Sequence, residues 1–269
     1  MNKQEFIKKV LAHGLMGMAI DIESVPNRGP FYQLGEQRIT HNQIEEERRI
    51  MSVTWLWIHE PTKRYQLDWG RNNRCDKQLL KKLQKEIIKA DFIIGQNSNH
   101  FDLPYIQGRL AYHGLPPIIT KQQPFLIDIM KYAKRSFYLN SYSLDYRLKY
   151  HGKKGKKKMD WDDMVTNMLH NTTKAHMDKM LEYNDKDTTD TLWLFYKELP
   201  YYKLPRQLIN LLNQGNVDCC PDCNGTARSK HQAPAYTAAG IQYIRWKCVC
   251  GRVYRDFMTE KKRKLLEKK

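Results

Sequence analysis

Across the first two hundred residues, short apolar runs of strand character alternate with segments whose apolar residues recur three and four apart. No other feature restricts the fold as strongly, because such a chain must bury a sheet between helices. Leu15–Ile20 is a short, mostly apolar run that leads into a carboxylate. Ile50–Ile58 is long and rich in β-branched and aromatic residues, and Arg64–Trp69 reads as its hairpin partner. Lys77–Lys89 sets Leu79, Leu80, Leu83, Ile87 and Ile88 at helical spacing. Phe92–Ile94 predicts a further strand, followed by a polar turn and a helix from Leu103 to His113. Phe125–Ile127 reads as a strand and Ser143–Tyr150 as a short helix. The longest helical pattern runs from Thr173 to Leu199, with Met177, Met180, Leu181, Leu192 and Phe195 as its stripe. An antiparallel start followed by strand–helix alternation predicts an α/β domain with a mixed sheet flanked by helices. No internal repeat is visible.

The 269 residues suffice for one large α/β domain plus a small appendage, and 41% hydrophobic against 28% charged residues excludes wholesale disorder. No apolar run approaches the ~20 residues of a membrane span. The start, MNKQEFIKKVLAHG, is too polar for a secretory signal. The expectation is a cytoplasmic protein without membrane contact. Lys+Arg 46 against Asp+Glu 29 gives a net charge of +17, which favours a polyanionic partner, nucleic acid first. Residues 203–269 hold 14 Lys/Arg and 5 Asp/Glu, so about half of the surplus sits in the last quarter.

Three separated segments carry carboxylates that suit one chemistry. In Ala19-Ile20-Asp21-Ile22-Glu23, strand alternation sends Asp21 and Glu23 to one side and Ile20 and Ile22 to the other. Two adjacent carboxylates repel unless a cation joins them. In IIGQNSNHFDLPYI, Asp102 lies at the mouth of a helix, Pro104 suits its first turn, and Asn97 helps order the turn before it. In the long helix, Tyr183 and Asp187 are four apart and share a face that borders the apolar stripe. Asp185 points elsewhere, and Asp190 is an alternate to Asp187. Singly, each segment has a plain structural reading: a solvated pair, an N-cap, a charged helix flank. Together, Asp21, Glu23, Asp102 and Asp187 form a hard-oxygen set that suits two Mg²⁺ or Mn²⁺ ions. Such a pair serves phosphodiester hydrolysis. Tyr183 would orient the attacking water.

These motifs, in this order, resemble the DEDD 3′–5′ exonuclease superfamily (DnaQ-like, ribonuclease H-like fold), in its tyrosine subgroup. They are closest to the proofreading domain of family B DNA polymerases. The shared patterns are D-I-E at Asp21–Glu23, G-x-N-x-x-x-F-D-x-P-Y from Gly95 to Tyr105, and Y-x-x-x-D at Tyr183 and Asp187; LNSYSLDYRLKYHG (Leu139–Gly152) adds to them. The resemblance covers roughly residues 15–200. It implies a ribonuclease H-like fold, Asp21, Glu23, Asp102 and Asp187 as metal ligands, and Tyr183 as the water-orienting residue. No palm or fingers domain fits the remaining length, so a free-standing nuclease or a proofreader acting in trans is expected, in a bacterial or phage-infected cell. The loop Lys153–Lys158 (KKGKKK) is more basic than the family pattern. Lys153, Lys154, Lys156, Lys157 and Lys158, with Asn97 and Phe101, are the candidates for gripping nucleic acid, although a lysine-rich loop also serves as plain solvated surface.

The C-terminal quarter carries a second signal. Cys220-Pro-Asp-Cys223 and Cys248-Val-Cys250-Gly251 look like the two knuckles of a zinc ribbon, holding one structural Zn²⁺. The second pair is shorter than the usual C-x-x-C. Cys219 is an alternate to Cys220, and His231 a less suitable ligand. The expected organisation is an exonuclease domain over 1–200, a linker over 201–214, a zinc ribbon over 215–256 and a basic tail over 257–269. Tyr236, Tyr243, Trp246 and Tyr254 in the ribbon suit either base stacking or its own core. The function expected is stepwise hydrolysis of DNA from its 3′ end, single strands preferred, with RNA as the other polyanion. The alternatives are a catalytically silent nucleic-acid-binding protein with the nuclease fold, and a zinc-ribbon adaptor to a replication, recombination or repair protein.

Overall fold

A computed structural model describes residues 1–30, 38–69, 75–118, 124–155, 160, 166, 173–205, 208–209, 211–212, 220, 228–236 and 242–257. In chain order the elements are α1 (Lys3–Ala12), β1 (Gly17–Val25), β2 (Arg49–Trp57), β3 (Tyr65–Asp68), α2 (Lys77–Ile87), β4 (Phe92–Gly95), α3 (Asp102–Tyr112), β5 (Phe125–Asp128), α4 (Ile129–Ser136), α5 (Leu144–Tyr150) and α6 (Lys174–Glu198). Strands β6 (Arg228–Tyr236), β7 (Gln242–Cys248) and β8 (Val253–Phe257) follow. The first five strands form one mixed sheet in the order β3-β2-β1-β4-β5. β1 pairs antiparallel with β2 and parallel with β4, so it is the centre of the sheet.

Both faces of that sheet are covered. Met18, Ile20 and Ile22 of β1 join Val53, Trp55 and Trp57 of β2 beneath Leu79, Leu80 and Leu83 of α2 and Leu103, Ile106 and Leu110 of α3. On the opposite face, Ala19, Leu56, Phe92, Ile94 and Ile127 meet Phe6 and Val10 of α1, Leu144 and Leu148 of α5, and Leu192, Leu194 and Phe195 of α6. All nine residues of β2 are buried, so apolar side chains fall on both of its faces rather than alternating with solvated ones, and Arg49, Ser52 and Thr54 are buried with them.

Helices α1 and α4 are additions to the sequence reading. α1 is capped by Asn2, whose side chain accepts from the Glu5 N–H, and it buries Phe6 edge-on to Phe92 and Phe195, with ring centroids 5.8 and 5.2 Å away. The segment expected as a linker over 201–214 contributes to the core. Tyr202, Leu204, Leu208, Leu211 and Leu212 are buried in the same core as α1 and α6. The leucines at 204, 208, 211 and 212 repeat at helical spacing, so the segment carries its own apolar stripe.

Beneath this core Arg147 is fully buried, an arrangement a guanidinium tolerates only when its donors are satisfied. It pairs with Glu198, donates from Nη1 to Gln96 Oε1 (2.9 Å) and from Nη2 to the Tyr202 hydroxyl (2.9 Å). The C-terminal strands form a separate antiparallel sheet in the order β6-β7-β8. Among the described residues, no helix is long and apolar enough to cross a membrane.

Candidate functional site

The site begins with a change of character along one face of β1. Ala19 is core on the α6 side, and alternation puts Asp21 and Glu23 next along that side while Ile20 and Ile22 continue the core on the other. The strand does not end at these acids, as its sequence suggested, but runs through them to Val25, with a register shift between Glu23 and Ser24. Both carboxylates are partly buried.

Asp102 is placed by the ending of a neighbouring strand. Residues Gly17–Ala19 pair with β4, which stops at Gly95, so among the described residues no strand pairs with the later part of β1 on that side. Asp102 Oδ1 accepts the Ile22 N–H at 3.2 Å in that gap, between the two acids of β1. The turn from β4 to Asp102 is tight. A Cβ on Gly95 would lie 2.5 Å from Ser98 Cβ, and Asn97 takes φ 61, which Asn tolerates better than most residues. The buried carboxylate of Asp128 accepts from the Asn97 N–H (3.0 Å), the Asn99 N–H (3.1 Å) and the Met130 N–H at the start of α4 (3.0 Å). Sequence reasoning missed Asp128, since a carboxylate after an apolar strand carries no local sign that a loop thirty residues away needs it.

α6 supplies the third segment. Tyr183 and Asp187, one turn apart, are both buried. Asp185 instead meets Arg64 (Nε to Oδ1, 3.3 Å), and burial holds its carboxyl above the usual range. Asp190 is taken by two lysines, Lys153 and Lys186. This separates Asp187 from its alternate. One oxygen each of Asp21, Glu23 and Asp187 lies within 4.8 Å of the other two. Asp102 stands outside that trio, tied to the backbone between its members.

Three carboxylates at this spacing are electrostatically expensive. At 4.8 Å and an effective dielectric constant of 20, an ionised pair repels by about 3.5 kcal/mol, less where solvent reaches the carboxylates, as at Asp21 and Glu23. A divalent cation removes that repulsion, and an all-oxygen donor set fits a hard cation. The Asp/Glu group is therefore one that can hold a metal ion.

Phe101 and Tyr105 stack at 5.8 Å with their planes 8° apart, and the Arg48 guanidinium lies 5.2 and 5.0 Å from their ring centres. Burial pushes the Tyr105 hydroxyl up to about 12. Arg48 also donates to Ser24 Oγ at 2.9 Å, beside Glu23; it carries no sequence signal and was missed. Lys153 lies against Asp190 and over the Trp193 ring, whereas Lys154 is exposed. Lys156, Lys157 and Lys158 lie outside the described residues.

A second cluster is built of sulfur. One Sγ each of Cys220, Cys248 and Cys250 lies within 4.8 Å of the others, with Cys220 and Cys250 3.6 Å apart. Cys220 and Cys248 are buried and Trp246 packs on them. The short Cys-Val-Cys spacing is accommodated by Gly251 at φ 87, whose N–H donates to the Cys248 carbonyl at 2.9 Å. Cys219 and Cys223 lie outside the described residues, and His231 is exposed and apart from the trio. This cluster, too, can hold a metal ion.

No known protein-family profile and no characterised protein sequence matches the chain. Among solved structures, it is similar to the family B DNA polymerase from the hyperthermophilic archaeon Pyrobaculum calidifontis, with a TM-score of 0.54 and 15% identity. The match covers 83% of this chain and 31% of the polymerase. The likeness is one of fold, and it agrees with the mixed ribonuclease H-like sheet described above.

Proposed function

We propose that this protein is a 3′–5′ exonuclease that hydrolyses the terminal phosphodiester bond of DNA, single strands preferred, and releases nucleoside monophosphates. The observation that carries this reading is the convergence of Asp21, Glu23 and Asp187, from a central strand and a long helix, within 4.8 Å. Asp21, Glu23, Asp102 and Asp187 would hold two Mg²⁺ or Mn²⁺ ions, which supply activation of water and stabilisation of the leaving oxygen.

The chain's own residues do the rest. Tyr183, on the same helix face as Asp187, orients the attacking water through its hydroxyl; a phenol is a poor base at neutral pH, so orientation is its role. The Asp128-stapled turn keeps Asp102 in register with β1. Asn97, the Phe101 ring, Lys153, Lys154, Lys156, Lys157 and Lys158 bind and orient the strand entering the site. In the C-terminal module, Cys220, Cys248 and Cys250, with Cys223 as fourth ligand, hold one structural Zn²⁺, and the basic ribbon and tail grip nucleic acid or a replication or recombination protein.

A labelled-strand assay tests the reading. Purified protein with Mg²⁺ should shorten a 5′-labelled single strand one nucleotide at a time from its 3′ end, and Asp21→Ala should abolish the ladder. A mobility shift without cleavage, equal in both proteins, would instead mark a binding protein.

A further inference from the structure

We infer that Asn184 is a positioning residue that orients the Asp21 carboxylate for divalent-cation binding; the inference rests on the metal-binding reading above. Asn184 lies on α6 between Tyr183 and Asp185 and has no exposed surface. Its Nδ2 donates to Asp21 Oδ2 at 2.7 Å, across 163 residues of sequence. That bond restricts the carboxylate's rotation and fixes which oxygen faces α6. Metal-ligating carboxylates are commonly held in this way by outer hydrogen bonds.

The residue type is informative because stability alone argues against it. Asn is a poor mid-helix residue, and at a fully buried position an apolar side chain would pack without a polar penalty. The Asn184 Oδ1 is buried and has no hydrogen-bond partner among the described residues, an arrangement that costs stability. Reversing the amide would set Oδ1 against a carboxylate oxygen at 2.7 Å, acceptor facing acceptor, so the Asp21 bond selects the observed orientation. Charge matters as well. An aspartate here would add a further negative group to the carboxylate trio. A lysine would neutralise Asp21 and compete with the cation. A neutral amide donor orients the carboxylate and leaves its charge intact.

The backbone around Asn184 is pinned to the same rung of the sheet. Thr188, one turn on, has its hydroxyl 3.1 Å from the Asn184 carbonyl and 2.6 Å from Thr54 Oγ1. Thr54 is the residue directly opposite Asp21 in the β1–β2 register. Thr188 and Thr54 thus tie helix to sheet through bonds of their own, separate from the Asn184–Asp21 bond, which is the one that reaches an acid of the trio.

The test measures Mn²⁺ binding by the full chain through titration calorimetry, with melting temperatures recorded in chelator. Asn184→Ala should weaken Mn²⁺ binding about 10- to 100-fold. Thr188→Val, which breaks the helix–sheet bond without touching Asp21, should lower the melting temperature and leave Mn²⁺ affinity within about twofold. Should Asn184→Ala fail to fold, Asn184→Leu, with the same branched arrangement of heavy atoms and without a donor, replaces it. Unchanged affinity in the Asn184 variant would overturn the inference, as would an equal loss of affinity in Thr188→Val. Failure of the wild-type chain to bind Mn²⁺, or binding that survives Asp21→Ala, would remove the metal site itself, a different result from the loss of Asn184's role alone.

Discussion

Asp76 is fully buried, yet the fold holds it ionised. Its carboxylate accepts from Arg109 Nε and Nη2 (both 2.8 Å) and the Ile50 N–H (3.0 Å), and it lies 2.7 Å from His113 Nε2. Burial alone would raise its pKa, but the Arg109, Ile50 and His113 bonds together bring it below the ordinary aspartate value. A lowered folded value fixes the sign of the pH dependence. The contribution is fully present above the unfolded value, near 3.9, and is lost as pH falls through the lower folded value. Asp76→Ala should destabilise the domain by about 3–5 kcal/mol, because Arg109 is left buried and unpaired. Asp76→Asn should flatten the loss of stability below pH 4; urea unfolding across pH 3–7 reads both effects. Single residues differed in how legible they were. Asp21, Glu23 and Asp187, whose oxygens lie within 4.8 Å of one another, could be picked out because their types and spacing already suggest one chemistry. Asn184 and Asp128 could not, since their roles exist only through partners that folding delivers.

Most elements were readable, the short strands β3, β4 and β5 and the short helix α5 among them; α1 and α4 were not. β2 and α6 came through as nine buried residues and a 25-residue helix. α1 was overlooked because only Phe6 and Val10 of its ten residues are buried, too narrow a stripe to separate from a polar leader. α4 begins directly at the end of β5 with no intervening loop, and its N-cap, Asp128, is the last residue of that strand. The sheet's most useful detail, the early stop of β4 that opens a place for Asp102, is a matter of pairing and has no sequence sign of its own. If α1 is integral to the domain, Phe6→Ala should lower its stability by about 3–5 kcal/mol in denaturant unfolding. A change under about 1 kcal/mol would mean α1 contributes little to the core.

On the scale of the whole chain, the two clusters that can hold a metal ion accompany different sheets, the acids the five-stranded one and the cysteines the three-stranded one. Of the 46 Lys/Arg, 6 fall among the last nine residues. Removing residues 261–269 should weaken binding to single-stranded DNA and make its logarithmic salt slope shallower by up to about 4, at ~0.7 for each phosphate that the tail neutralises. An unchanged slope would make that segment a solvated end. Cys220→Ser should lower zinc content, read by elemental analysis, from one ion per chain to near zero while the melting of the large domain is preserved. Anomalous scattering from Mn²⁺-soaked crystals of the wild-type chain would locate the cation itself. Manganese peaks are expected among Asp21, Glu23 and Asp187, on the side of Asp102, and should disappear in Asp21→Ala; peaks confined to other surfaces, or none, would mean that the acids do not form a metal site.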